Sequence, residues 1–324
     1  MNTFGFTSKS ASRVSKYLRF KTREQPESVI NLLKTYGFSQ ADISKLVKRY
    51  PKVLGYGLER ITAKIEFLAS RAASPRDVVD VLISSPKILD RSLENHVIPI
   101  YDFVKDVVDS DEEVIAVLKR GRGRLFGRAN GSDIPVGIDF LRDIGVPESN
   151  IAYVLLRHPQ ALRDSGRVKQ AVEELKEMGG FDPSKKNFVK ALIVKCGLSE
   201  SKWRKKIDVY KSWGLTEEDI FGMFKIYPQC MASSEKKISA VMDLVVNKLG
   251  WGPSIFPGYA SLLALSLEKR IIPRDSVIQS LLSKGLIGKK SYTPKVFMLT
   301  DDVFLDKYVN CYEDADKLLK LYRK

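Results

Sequence analysis

Apolar residues recur along this chain at helical spacing, in runs that are cut at regular intervals. Ile43, Leu46, Val47 and Tyr50 mark one stripe, and Leu58, Ile61, Ile65 and Leu68 mark the next. This is the i, i+3, i+4, i+7 pattern of amphipathic helices, and no strictly alternating strand pattern competes with it. The cut between the two stripes is a proline in the frame P-x-x-[L/M]. The same frame returns at Pro86, Pro159 and Pro228. A helix must stop there, because the residue before a proline is pushed out of the α region. In three of these units a glycine lies 14 residues upstream, at Gly37, Gly145 and Gly214.

Two further units keep the apolar frame without the proline, with Arg122 and Cys196 in its slot. Anchors at 51, 86, 122, 159, 196 and 228 are therefore 35, 36, 37, 37 and 32 residues apart. Gly5 lies 32 residues before Gly37, which adds a first unit anchored near Arg19, and Pro257 opens a last one. A fixed period decides fold class. About eight helix-pair units of roughly 30–37 residues predict an all-α protein, an α-solenoid forming a single array over residues 1–324. Four units open on a helix-start signal: Ser39 with Asp42, Ser74 with Asp77, Ser110 with Glu113, Thr216 with Asp219. The hydroxyl accepts from early free amides while the acid reaches back. Pro75, Pro147, Pro183 and Pro273 stand where a first-turn proline is tolerated.

Charge adds a partner class. Lys and Arg number 54 against 39 Asp and Glu, a formal +15, and such an excess points to a polyanion, most often nucleic acid. No apolar run approaches the roughly 20 residues of a membrane helix. Cys196, Cys230 and Cys311 are scattered without a C-x-x-C pair, which argues against a disulfide framework or zinc site. His158 occupies the slot held by Tyr50, Ser85 and Tyr227 and reads as structural, and His96 has no catalytic motif around it. The expectation is a protein without catalytic residues, metal or cofactor. Residues 1–23 hold six Lys or Arg, four Ser and no acid, the look of a transit peptide. The period instead assigns them to the first unit.

The repeated glycine, apolar helix and P-x-x-L frame, with a block near the C-terminus, resembles the mitochondrial transcription termination factor (mTERF) family. That block runs through Phe256-Pro257-Gly258-Tyr259, Ser266-Leu267-Glu268-Lys269-Arg270-Ile271-Ile272-Pro273-Arg274 and Ser283-Lys284-Gly285-Leu286, and is similar to the plant branch. The resemblance implies a curved superhelix whose basic concave face holds double-stranded DNA or RNA in a mitochondrion or chloroplast. It implies work in transcription termination or regulation, intron splicing or ribosome assembly, with organellar transcription or splicing proteins as further partners. The chain is expected to act as a monomer. A helical scaffold for a protein partner is the alternative.

Candidate contacts fall in clusters. Lys119, Arg120, Arg122, Arg124 and Arg128 combine cations with flexible glycines for a phosphate backbone, and Phe126 offers a stacking ring. Lys202, Arg204, Lys205 and Lys206 surround Trp203, a second stacking candidate. Lys269, Arg270, Arg274, Lys289 and Lys290 form a C-terminal cluster. Cations also recur just before the proline slot, at Lys48, Arg49, Arg157, Lys195 and Lys225 as well as Lys119 and Arg120. Stacked units would align them into a stripe, although a helix C-terminus favours a cation in any case by roughly 0.3–1 kcal/mol.

Overall fold

The computed structural model describes residues 24–121 and 134–323, and every regular element among them is helical. Helix α1 (Glu24–Thr35) runs into Gly37 at φ +82°, where the Phe38 amide donates to the Leu33 carbonyl and the Gly37 amide to Lys34. Only a residue free of a Cβ takes that left-handed turn without cost. Ser39 then caps α2 (Gln40–Arg49), and Asp42 completes the reciprocal box. Thr216 and Asp219 build the same box, and Ser74 and Ser110 each accept from the amide three residues on. All four helix starts read from the sequence are present.

The proline does more than break a helix. Pro51–Gly55 is a short 3-10 turn, and Pro86–Asp90, Pro159–Leu162 and Pro228–Met231 repeat it. A proline suits the first position of such a turn because its missing N–H would have no partner there. The second helix of the unit, α3 (Leu58–Ala69), starts beyond the turn. A unit is thus first helix, 3-10 turn, second helix. Ile43, Leu46, Val47, Val53, Leu54, Ile61, Ile65 and Leu68 bury almost completely, so all three pieces feed one core. Truncating any such residue to Ala costs about 2–5 kcal/mol.

The chain divides into two compact units, Met1–Glu174 with Asp182–Cys196, and Leu175–Phe181 with Gly197–Lys324. In the first, the first helices α2, α4 (Pro75–Ser84), α6 (Asp111–Gly121) and α8 (Glu148–Arg157) stack in turn. The second helices α5 (Ile98–Val108), α7 (Ile134–Asp143) and α9 (Ser165–Met178) alternate with them. α10 (Lys186–Gly197) is the last first helix before the division. In the second unit, α11 (Glu200–Ser212) packs on α13 (Glu235–Asp243), and α12 (Glu217–Ile226) on α14 (Phe256–Tyr259). α15 (Ile272–Ser283), α16 (Lys295–Met298), α17 (Asp301–Leu305) and α18 (Ala315–Tyr322) close a terminal core around Val277, Leu281, Phe304 and Leu318.

Several expectations are refined. Through the Cys196 slot α10 runs unbroken to Gly197, since no proline interrupts it. In the last repeat the turn begins at Ala260, three residues after Pro257; Tyr259 (φ −133°) is the N-cap of that turn, as Tyr50 (φ −143°) and Tyr227 (φ −138°) are of theirs. Pro147 is the cap of α8 rather than its first residue, and Pro183 lies in the turn ahead of α10. Residues 1–23, with Gly5 and Arg19, and the Arg122 slot lie outside the described residues.

Candidate nucleic-acid interface

Within each of the two compact units, the repeat places the ends of first helices, the 3-10 turns and the starts of second helices on one edge, the proline edge. The glycine turns and the starts of the first helices lie on the opposite edge. Five first-helix starts are acidic, at Asp42, Asp77, Asp111 to Glu113, Glu148, and Glu217 to Asp219, while α10 has no acid in its first turn. First-helix ends are mostly basic, with Lys48 and Arg49, Lys119 and Arg120, Arg157, and Lys225, while α4 has no cation in its last turn. The macrodipole accounts for both trends.

It does not account for a second row, which the sequence reading largely missed. The third residue of the second helix is a cation in five units: Arg60, Arg167, Lys202, Lys237 and Lys269. Asn95 stands there in a sixth. An acid is the favoured residue at that position, and a cation there opposes the dipole. The signal was in the sequence as a cation three residues after the capping Ser, Asp or Gly, about 35 residues from one occurrence to the next.

Part of this row serves the fold. Arg60 Nε donates to the Leu89 carbonyl at 2.9 Å, Arg167 Nη2 to Lys195 at 2.6 Å, and Lys237 Nζ to Ala264 at 3.2 Å. Each cation ties its helix start to the carbonyl end of the following turn or helix. Lys202 and Lys269 are exposed and make no such bond among the described residues. Arg204 and Lys205 are exposed, Arg204 beside Glu200 at 2.9 Å, and Lys290 is exposed as well.

Four candidates lie in the interior instead. Lys195 is 3% exposed with its ammonium 2.5 Å from Glu174, in the slot where Ser85 is buried and Tyr50 and His158 are half-buried. Lys206 is 5% exposed and donates to the Ser233 carbonyl. Arg274 is fully buried, bonding Asp301 at 2.6 Å and the Val296, Phe297 and Leu299 carbonyls. Trp203 is a core ring, edge-on to Phe224 at 5.0 Å, with no free face for a base. Arg270 is half-buried and clamps the Phe297 carbonyl at 3.0 Å. Lys119 is half-buried and paired with Asp77. Arg122, Arg124, Phe126, Arg128 and the Lys289 side chain lie outside the described residues.

Reactive groups are muted. Burial pushes the Cys196 and Cys230 thiols up to about 12, so neither is a thiolate near neutrality. Burial lowers the pKa of His158, which caps α8 as a half-buried ring. No group of three or more His, Cys, Asp or Glu could hold a metal among the described residues, and no helix there is long and apolar enough to cross a membrane.

The family model described as mTERF matches residues 30–197 and 196–305. The chain belongs to the mTERF family. Among its mTERF relatives, transcription termination factor 1, mitochondrial, of Homo sapiens is 26% identical over 199 residues, 57% of this chain and 49% of that protein. Transcription termination factor MTERF15, mitochondrial, of Arabidopsis thaliana is 19% identical over 315 residues, 95% of this chain and 62% of its own length. MTERF8, chloroplastic, from the same plant is 22% identical over 300 residues, 79% and 58%. The match to the human mTERF protein thus spans about half of its length, and those to the plant relatives less than two thirds.

Proposed function

We propose that this mTERF chain is an organellar nucleic-acid-binding regulator of gene expression, working in a mitochondrion or chloroplast on transcription termination or intron splicing. It holds the phosphate backbone along its proline edge. The observation that supports this reading is the exposed lysines at the third position of second helices, Lys202 and Lys269. Neither the helix dipole nor an internal partner accounts for them, and a polyanion does. The names of the mitochondrial and chloroplastic relatives agree with it.

Equilibrium binding across a salt series tests the reading. Neutralised phosphates release condensed counterions, so log affinity falls with log salt by about 0.9 per phosphate on duplex DNA and about 0.7 on a single strand. An edge touching four or more phosphates gives a slope of about −3.6 or steeper on duplex DNA and about −2.8 or steeper on a single strand. Competition between duplex DNA and single-stranded RNA at one ionic strength then separates transcriptional from splicing roles. Affinity no better than about 10⁻⁴ M for both at physiological salt sinks the reading and favours a protein-binding scaffold.

A further inference from the structure

Arg49, Arg120 and Arg157 hold the same place in the repeat, two residues before the proline slot, and all are exposed. Their surroundings differ. Arg49 donates from Nη1 to the Ile83 carbonyl of the next first helix at 3.2 Å. Arg120 donates from Nη1 to Leu156 at 2.7 Å, in the same relation one helix on. In the intervening unit, which has no arginine at this place, the Ser85 hydroxyl donates to Leu118 at 2.8 Å. Arg157 makes no hydrogen bond or ion pair among the described residues.

The acceptor explains the difference. Ile83 and Leu156 sit in the last turn of helices that a proline ends, where carbonyls have no partner within the helix. Their oxygens carry the negative end of the helix dipole and draw a guanidinium. Opposite Arg157, α10 continues to Gly197, so the carbonyls at that level belong to its own ladder.

Resting on the nucleic-acid reading above, we propose that Arg49 and Arg120 are carbonyl-anchored phosphate clamps. One arm of each guanidinium is fixed on a helix-end carbonyl, and the remaining N–H donors face outward for a backbone phosphodiester. The planar fork sets the angle between the two arms, and the anchor removes rotamer freedom before the ligand arrives. A lysine carries the same charge without the fork. Arg157, unanchored, contributes charge alone and tolerates lysine.

The test sets Arg49→Lys, Arg120→Lys and Arg157→Lys in the full chain against a duplex DNA and a single-stranded RNA of mixed sequence. Affinity is measured across a salt series beside each variant's thermal midpoint. Arg49→Lys and Arg120→Lys are expected to weaken binding of the preferred probe roughly tenfold, as for one charge-assisted hydrogen bond lost. Their salt slope stays that of the unmodified chain, because the number of cations is unchanged. Arg157→Lys stays within about twofold. Equal behaviour of the three variants overturns the proposal. So does a loss at Arg120 that tracks a fall in thermal midpoint, which makes the bond to Leu156 a structural tie only. If the unmodified chain binds neither probe with salt-dependent affinity, the nucleic-acid reading itself fails and takes this proposal with it.

Discussion

The Glu174 carboxylate lies 2.5 Å from the Lys195 ammonium, and Arg167 donates to its other oxygen at 2.8 Å. Lys195 stands in the slot held by Tyr50, Ser85, His158 and Tyr227 in other units, and its side chain is only 4% exposed. Glu174→Gln strands a buried ammonium and is expected to cost about 3–5 kcal/mol, read from chemical denaturation. Lys195→Met should leave nucleic-acid affinity and salt slope unchanged, because the ammonium is turned inward onto Glu174. A slope shallower by about 0.7–0.9 would return Lys195 to the interface.

Asp42 gives an acid response. The Arg76 guanidinium at 2.8 Å, with the Ser39 hydroxyl, holds its pKa down to about 2. Its unfolded value is near 3.9. A depressed carboxylate stabilises above the unfolded pKa and loses that contribution as pH falls through the folded one. Thermal midpoints should therefore drop between about pH 4 and pH 2, and the drop should be smaller in Asp42→Asn.

Lys64 gives the opposite response at alkaline pH. It is 3% exposed, its ammonium donates among the described residues only to the Arg60 carbonyl at 3.3 Å, and burial lowers its pKa to about 8. Between about pH 8 and pH 10.4 the unfolded chain binds more protons than the folded one, so stability rises with pH. Lys64→Met should raise the thermal midpoint at pH 7 and flatten that rise.

The repeat's turns make a paired prediction. Asp109 takes φ +68° where Gly37, Gly145 and Gly214 serve in other units. Asp109→Gly is expected to be neutral to stabilising by up to about 1 kcal/mol. Gly145→Ala should cost about 1–2 kcal/mol although no atom lies within 4 Å of an added Cβ, since its cost is backbone strain alone. Equal effects of the two changes in denaturation would rule out the left-handed turn as the repeat's fixed point.

The amino-acid sequence by itself determined the elements and the class of fold. Capping pairs such as Ser39 with Asp42, the glycines at Gly37 and Gly214 and the proline slots act within a few residues. Their effect is local chemistry, so it is legible without coordinates. Much of the candidate interface was legible in the same way, because Lys48, Arg49, Arg120 and Lys202 recur with the period. Tertiary structure alone decided which cations stay available. Whether a lysine faces water or a neighbouring unit depends on where an acceptor about 30 residues away comes to rest. Lys195 and Lys206 turn inward to Glu174 and Ser233, Arg274 fills a buried site beside Asp301, and Trp203 meets Phe224. Arg120 finds a carbonyl because Pro159 ends the helix opposite it, while Arg157 finds none because α10 has no proline to end it. Free carbonyls at helix ends have to be satisfied by something, and the stacking of units decides which side chain is near enough to do it.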